Sequence, residues 1–172
     1  MRLKALFVSL ILVAVTVFAP VGAQAYNISG FETNSKHVVF ASLDSGNIMY
    51  EKAADEKAYP ASLTKVMTAI VVLDKCDDID KKLTVPREAI TSLSGSGSTI
   101  GNLEEGEELS VRNLLKMLLV SSAADAANTL ASYFGGGSVD KFVNMMNEKA
   151  KELKMENTHF CNPHGLHDDD HY

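Results

Sequence analysis

The sequence predicts an α+β fold in which a short β-hairpin precedes a mostly helical region. Two strand-like runs flank a turn between residues 37 and 52. Three apolar segments with helical spacing follow, separated by stretches rich in Gly, Ser and Pro. Two strands and several helices make an uneven α+β set.

The hairpin is predicted from the segment HVVFASLDSGNIMYEK, residues 37–52. Val38 and Phe40 lie in a β-rich run, residues 44–47 (DSGN) have turn chemistry, and Ile48 resumes the strand. An isolated two-stranded hairpin is only marginally stable in water. We therefore expect the missing strands of the sheet to lie beyond the last residue, which would make the chain the N-terminal part of a truncated domain.

Three helices are predicted after the hairpin. The first follows Pro60 and reaches about Lys75, because proline is favoured in the first turn of a helix. Ser110 caps the second, which is predicted to run without interruption to Phe134. Ser138 caps the third.

A long surface loop is predicted between the first two helices, at residues 91–110 (TSLSGSGSTIGNLEEGEELS). Its Ser, Gly and Glu content is also typical of linkers between domains. Too little chain follows for a second domain, so we expect a loop on a single fold. Long loops in compact domains are often functional.

Residues 1–25 have the pattern of a secretory signal peptide. Arg2 and Lys4 precede an apolar stretch, and Ala23-Gln24-Ala25 has the small-x-small form of a cleavage site. The alternative is an uncleaved membrane anchor, but the apolar stretch is shorter than the ~20 residues that a span needs. We expect an exported protein whose folded domain occupies residues 26–172.

Composition excludes some partners. The formal net charge is −6 and no cluster of Lys and Arg is present, which argues against nucleic acid. No cofactor is expected. Cys76 and Cys161 are the only cysteines, too few for a disulfide scaffold. Export would permit a bridge between them, but the spacing does not decide between a bridge and two free thiols.

The segment YPASLTKVMTAIVVLDK carries the strongest chemical signal. Ser62 and Lys65 are three residues apart, which makes them neighbours on a helix. A serine hydroxyl needs a proton acceptor to become a good nucleophile. Burial against the apolar run after Lys65 would lower the pKa of its amine and allow it to act as that base. The first turn of a helix also favours a developing oxyanion.

The same spacing occurs a second time, at Ser138 and Lys141, and serves as an internal control. There the helix is amphipathic and Asp140 can neutralise Lys141, so Ser138 is explained as an N-cap. The spacing alone is therefore a weak signal. At Ser62 and Lys65 the structural alternative is likewise a capping serine beside a lysine that extends to solvent.

Three longer segments give a more specific signal than the serine-lysine spacing alone. YPASLTKVMTAIVVLD, STIGNLEEGEELSVRNLLKMLLVSSAADAANTLA and HFCNPHGLHDDDHY resemble, in order and separation, the N-terminal half of the D-alanyl-D-alanine carboxypeptidases. These are low-molecular-mass penicillin-binding proteins, peptidase family S11, of the serine β-lactamase-like superfamily. The resemblance implies a penicillin-binding-protein-like transpeptidase fold. It also implies that Ser62 is the nucleophile, Lys65 its base, and Ser122 the serine of the second motif, which shuttles a proton.

Two departures from the family pattern stand out. The second motif normally has Asn two residues after its serine, and this chain has Ala124 there. A methyl group cannot orient the lysine or hold a substrate carbonyl, and we expect Asn128, one turn further on, not to replace that amide. The K-T-G motif of the superfamily is absent from the chain, and we expect it in the missing C-terminal part.

A cluster of His159, His164, His167, His171 and residues 168–170 (DDD) raises the question of a metal site. Near a polar chain end it is more simply interpreted as a solvated loop, and no metal is expected. The resemblance treats the NPHG segment within it as a structural turn.

The resemblance implies an exported serine-type D-Ala-D-Ala carboxypeptidase of the bacterial cell envelope. Its partners would be peptidoglycan stem peptides ending in D-Ala-D-Ala, with β-lactams as covalent inhibitors of Ser62, and contact with a membrane surface through the missing C-terminal segment. One alternative is a serine β-lactamase, which would need a base for deacylation. Another is a non-catalytic wall-binding or sensor homologue in which Ala124 weakens the chemistry.

Overall fold

A computed structural model describes residues 30–172. They divide into two compact units, with the boundary between Glu56 and Lys57. The predicted signal peptide lies outside the described residues. A search of residues 30–172 for helices long and apolar enough to cross a membrane finds none.

The first unit contains the predicted hairpin, which is confirmed. Strand β1 (Val38–Ala41) pairs antiparallel with β2 (Ile48–Lys52), and Phe40 lies opposite Tyr50. Gly46 has a φ of +70°, which glycine adopts without strain. Its N–H donates to the Ser42 carbonyl at 2.8 Å and closes the turn.

The second unit begins with the helix predicted after Pro60. A 3₁₀ turn at Ala61–Leu63 leads directly into α1 (Thr64–Lys75). The apolar run of α1 packs against the later helices, and Val72 is completely buried. The predicted end at Lys75 is correct.

The loop predicted at residues 91–110 is mostly irregular but ends in a strand. Strand β3 (Lys82–Thr84) pairs antiparallel with β4 (Glu108–Ser110), so two short strands were missed. Helix α2 (Arg87–Thr91) lies between them in sequence. Both strands are only three residues long, which is too short for alternation to reveal them.

The single helix predicted to run as far as Phe134 is wrong. The chain forms α3 (Val111–Val120) and α4 (Ala124–Phe134), separated by a break. Ser122 lies in the break with a φ of +56°, and one left-handed residue is enough to end a right-handed helix. Small residues on both sides of Ser122 fit helical spacing, so periodicity could not reveal the break.

The caps predicted at Ser110 and Ser138 are confirmed. The Ser110 hydroxyl accepts from the N–H of Asn113, and the Ser138 hydroxyl accepts from the N–H of Lys141. Ser138 begins α5 (Val139–Glu152). Helices α1, α3, α4 and α5 enclose the core, whose completely buried members include Val72, Val111, Leu114, Leu118, Leu130, Phe142 and Met146.

Candidate active site

Ser62 lies where the chain turns sharply into the buried helix α1. The preceding residue, Ala61, has a φ of +47°, a left-handed conformation that is uncommon for a residue with a side chain. The 3₁₀ turn that follows presents Ser62 to solvent at the start of α1. A strained residue next to an exposed hydroxyl is typical of functional sites.

Lys65 occupies the first turn of α1, and only 5% of its surface is exposed. Its Nζ lies 3.3 Å from Ser62 Oγ and 2.6 Å from the carbonyl oxygen of His164. Loss of hydration disfavours the charged ammonium, so burial lowers the pKa of Lys65. A neutral amine in this position has a lone pair that can accept the proton of Ser62.

Ser122 reaches the same point from the break between α3 and α4. Its hydroxyl donates to Ser62 Oγ at 2.9 Å. The left-handed conformation of Ser122 takes its side chain out of the helical path. The structure thus brings together Ser62, Lys65 and Ser122, the three residues that the sequence singled out as catalytic.

Hydrogen bonds hold the break in place from both sides. The N–H groups of Ser121 and Ala123 donate to the Met117 carbonyl at 3.2 and 3.1 Å, which closes α3. The N–H of Ala124 donates to the Thr99 carbonyl at 2.9 Å. The start of α4 is therefore tied to the long loop.

Ala124 is buried and lines the cleft beside Ser62 and Ser122. Asn128 does not reach this cleft. Its amide donates to the Ala89 carbonyl at 3.3 Å and to the Ser92 hydroxyl at 3.1 Å, in agreement with the expectation that it does not replace a motif asparagine.

The cleft has a volume of about 140 Å³. Its lining includes hydroxyl groups from three separate parts of the chain and, among the described residues, no carboxylate. The lining residues are Ser62, Lys65, Ser98, Thr99, Ser122, Ala124, His164, Gly165 and Leu166.

A turn at residues 162–166 supports the site, and sequence reasoning missed this role. Gly165, with a φ of +86°, lies directly on the peptide bond between Ala61 and Ser62, where a Cβ would overlap the Ala61 carbonyl. The Asn162 side chain accepts from the N–H of Gly165 at 2.7 Å and fixes the turn. The NPHG segment indicates a turn, but nothing local shows what the turn contacts.

Asp125 is a second supporting residue that the sequence did not single out. Its carboxylate is buried and accepts from the N–H groups of Gly101, at 2.7 and 2.9 Å, and Leu103, at 3.0 Å. These bonds anchor the long loop to the first turn of α4. The loop then places Ser98 and Thr99 on the cleft wall.

The histidine cluster is only partly the solvated loop that was predicted. His171 is 2% exposed, its Nε2 lies 2.7 Å from Thr64 Oγ1, and its Nδ1 accepts from the N–H of Cys161 at 3.0 Å. His164 is also buried, and burial lowers its pKa to about 4. Within residues 30–172 no group of three potential ligands is arranged around a metal position. Packing against α1 accounts for the burial of His164 and His171, and the periodicity of the sequence cannot predict such packing.

Cys76 and Cys161 are free thiols. Burial, with Asp168 beside it, raises the pKa of Cys161 to about 11. A thiol with so high a pKa stays protonated at neutral pH and is a poor nucleophile.

Comparison with known proteins identifies the family. Residues 23–172 match the family model described as D-alanyl-D-alanine carboxypeptidase, peptidase family S11. The chain is 36% identical to the D-alanyl-D-alanine carboxypeptidase DacF of Bacillus subtilis and 35% identical to DacC of Escherichia coli. These matches cover 80% and 87% of this chain but only 35% and 39% of the relatives. The chain thus spans little more than a third of their length.

Comparison with solved structures gives the same result as comparison of the sequences. The D-alanyl-D-alanine carboxypeptidase DacD from Francisella tularensis has a TM-score of 0.75 at 34% identity, over 83% of this chain and 34% of that one. Penicillin binding protein 6B from Escherichia coli has a TM-score of 0.70 at 35% identity, over 81% and 47% of the two chains.

The fold is that of the penicillin-binding DD-peptidases, so the fold class predicted from the sequence is confirmed. Within that class the chain belongs to the D-alanyl-D-alanine carboxypeptidase family S11, as its motifs indicated.

Proposed function

We propose that the protein is an exported serine-type D-Ala-D-Ala carboxypeptidase that trims peptidoglycan stem peptides. The observation that carries this proposal is the position of Ser62 Oγ, 3.3 Å from Lys65 Nζ and 2.9 Å from Ser122 Oγ. The names of the relatives support the substrate, since several are D-alanyl-D-alanine carboxypeptidases. The signal-like pattern of residues 1–25 supports export to the cell envelope.

In the acylation step, neutral Lys65 accepts the proton of Ser62 while Ser62 Oγ attacks the carbonyl carbon between the two terminal D-alanines. The positive end of the helix dipole of α1, next to Ser62, favours the negative charge that develops on the carbonyl oxygen. The C–N bond then breaks, and the leaving amine takes a proton from Lys65 by way of Ser122. The first product is free D-alanine, and the remaining peptide is held as an ester on Ser62.

In the deacylation step, water loses a proton and its oxygen attacks the ester carbonyl. The C–O bond to Ser62 Oγ then breaks, the shortened peptide leaves with a free carboxyl group, and Ser62 regains its proton. Lys65 is suited to activate this water, because its amine is neutral again once the leaving group has been protonated. A β-lactam would acylate the same hydroxyl by ring opening. The family's penicillin-binding members support this expectation.

Two alternative functions each relate to a specific observation in the cleft. A serine β-lactamase needs a base that drives deacylation, and the described residues of the long loop contribute only Ser98 and Thr99 to the cleft. That observation favours slow hydrolysis of the acyl-enzyme formed with a β-lactam, and hence a peptidase. A non-catalytic wall-binding homologue is favoured by the methyl group of Ala124, which lines the cleft where the family pattern has an amide.

Labelling with fluorescent penicillin tests the proposal on the intact protein. We expect the protein to form a covalent adduct with the penicillin and to release D-alanine from a peptide ending in D-Ala-D-Ala. Ser62→Ala should abolish the adduct. Ser138→Ala, in the second copy of the serine-lysine spacing, is the matched control and should label normally. Rapid turnover of the penicillin would instead identify a β-lactamase. If no adduct that depends on Ser62 forms, the non-catalytic wall-binding homologue is the remaining function.

A further inference from the structure

The wall of the cleft beside Ala124 is formed by the long loop. Ser98 and Thr99 line the cleft together with Ser62, Ser122 and Ala124. The loop thus brings hydroxyl groups to the part of the site where this chain has a methyl group. None of the catalytic steps described above uses them.

Ser98 is held in one orientation by another serine of the loop. The Ser96 hydroxyl accepts from the N–H of Ser98 at 3.2 Å and donates to Ser98 Oγ at 3.0 Å. Since Ser98 Oγ is the acceptor in that bond, its own hydrogen is free to be donated elsewhere. Gly95 and Gly97, with φ of +73° and +70°, allow the tight turns that this arrangement requires.

The loop is also fixed relative to the catalytic residues. The Thr99 carbonyl accepts from the N–H of Ala124 at 2.9 Å, so the residue after Ser98 is bonded to the position where the motif asparagine would stand. The buried Asp125 carboxylate ties Gly101 and Leu103 to the same end of α4. Ser98 is therefore a preorganised donor, and preorganisation lowers the entropic cost of a hydrogen bond to a ligand.

We infer that the Ser98 hydroxyl donates a hydrogen bond to a peptide carbonyl of the bound stem peptide, and so performs the binding task of the missing motif amide. The substrate class rests on the proposed function. Ser98 is suited to this bond by its place in the cleft, its free hydrogen and its attachment beside Ala124. Such a bond would be made equally in the ground state and the transition state, so it should affect affinity and leave the chemical step unchanged.

The test uses an N-acylated tripeptide ending in D-Ala-D-Ala and the intact protein. Calorimetry measures the Kd of this peptide for Ser62→Ala, which cannot acylate, with and without Ser98→Ala. Steady-state release of D-alanine compares Ser98→Ala with the unmodified protein. Loss of one hydrogen bond to a peptide carbonyl should raise both Kd and KM about tenfold, with kcat within about twofold.

Two control variants separate this role from a general effect on the loop. Ser94→Ala changes an exposed serine of the same loop that does not line the cleft, and Thr99→Val removes the neighbouring cleft hydroxyl. Both should keep the Kd of their Ser62→Ala parent. Adding Ala124→Asn to Ser98→Ala should bring KM back toward its original value, because it supplies an amide from the other side of the cleft.

The outcomes are distinguishable. An active protein in which Ser98→Ala leaves Kd and KM unchanged, or in which Thr99→Val produces the whole effect, overturns the inference and leaves the proposed function intact. A protein that releases no D-alanine but binds the peptide with an affinity dependent on Ser98 overturns the function and supports the inference. A fall in kcat with KM unchanged would show that Ser98 acts on the catalytic groups, and it would overturn the inference.

Discussion

Lys65 Nζ lies 2.6 Å from the carbonyl oxygen of His164, a residue 99 positions further along the chain. This contact orients the amine without requiring it to be charged, since a neutral amine still has hydrogens to donate to a carbonyl. The lone pair then remains available on the side of Ser62 Oγ, 3.3 Å away. A carboxylate in place of that carbonyl would stabilise the ammonium and raise the pKa of Lys65, which would prevent the proposed function of Lys65 as a base.

Replacing Lys65 by arginine should nearly abolish acylation of Ser62. A guanidinium keeps its charge at all ordinary pH values and cannot accept the serine proton. Loss of a general base typically costs ~10²–10⁴ in rate. The measurement is the second-order rate of labelling by fluorescent penicillin. Lys141→Arg, in the second serine-lysine pair, should label at the original rate, and equal labelling by both variants would contradict the assignment.

The rate of acylation should rise with pH and level off at a lower pH than the ordinary lysine pKa of 10.5 would set. Burial lowers the pKa of Lys65, and the neutral form, which is the reactive one, predominates above that pKa. The rate is therefore small at acid pH, increases as pH passes through the lowered pKa, and then stays constant. Stopped-flow labelling between pH 5 and pH 10 checks this. A rate still increasing steeply at pH 10 would mean that the pKa of Lys65 is not lowered.

Gly165→Ala should reduce acylation by at least about a hundredfold while the protein remains folded. An added Cβ would overlap the Ala61 carbonyl and displace the Ser62 peptide, and small displacements of reacting groups can cost ~10² in rate. Gly106→Ala is a matched control, because Gly106 has a φ of +84°, close to the +86° of Gly165, but nothing within 4 Å of an added Cβ.

Both glycine variants should lose ~1 kcal/mol or more of stability from the left-handed backbone. Gly165→Ala should lose more, because its Cβ also overlaps the Ala61 carbonyl, and thermal unfolding measures both losses. If Gly106→Ala reduced acylation as much as Gly165→Ala, backbone strain alone would explain the effect. The proposed contact with Ser62 would then be wrong.

The free energy of unfolding should fall as pH decreases from about 6.5 to about 4. Burial lowers the pKa of His164 to about 4 in the folded protein, whereas the unfolded residue titrates near 6.5. Between these values the unfolded chain binds more protons, so acidification favours unfolding. The contribution of His164 is on the order of 3 kcal/mol and is complete below about pH 4.

Urea unfolding across this range, compared between the unmodified protein and His164→Asn, isolates that contribution. The variant should show a smaller loss of stability on acidification. His171, whose pKa burial also lowers, contributes in the same direction and remains in both proteins. Equal losses in the two proteins would mean that His164 titrates normally when folded.

Much of the local structure could be predicted from the sequence. The hairpin, the end of α1 and the caps at Ser110 and Ser138 depend on residues only a few positions apart, so their signals are short-range. The pairing of Ser62 with Lys65 belongs to the same class, because residues three apart on a helix are neighbours. The break at Ser122 was missed because its signal is a backbone conformation that small residues do not announce.

The sequence by itself determined the family, the serine-lysine pair and the missing amide at Ala124. The tertiary structure decided which groups surround that pair: the His164 carbonyl, the Gly165 contact, the left-handed Ser122 and the loop that carries Ser98. The named residues lie between 36 and 103 positions from Ser62 in the chain and are joined to it only by packing and long-range hydrogen bonds. No local pattern encodes such contacts, because each depends on where two distant segments meet in the folded core.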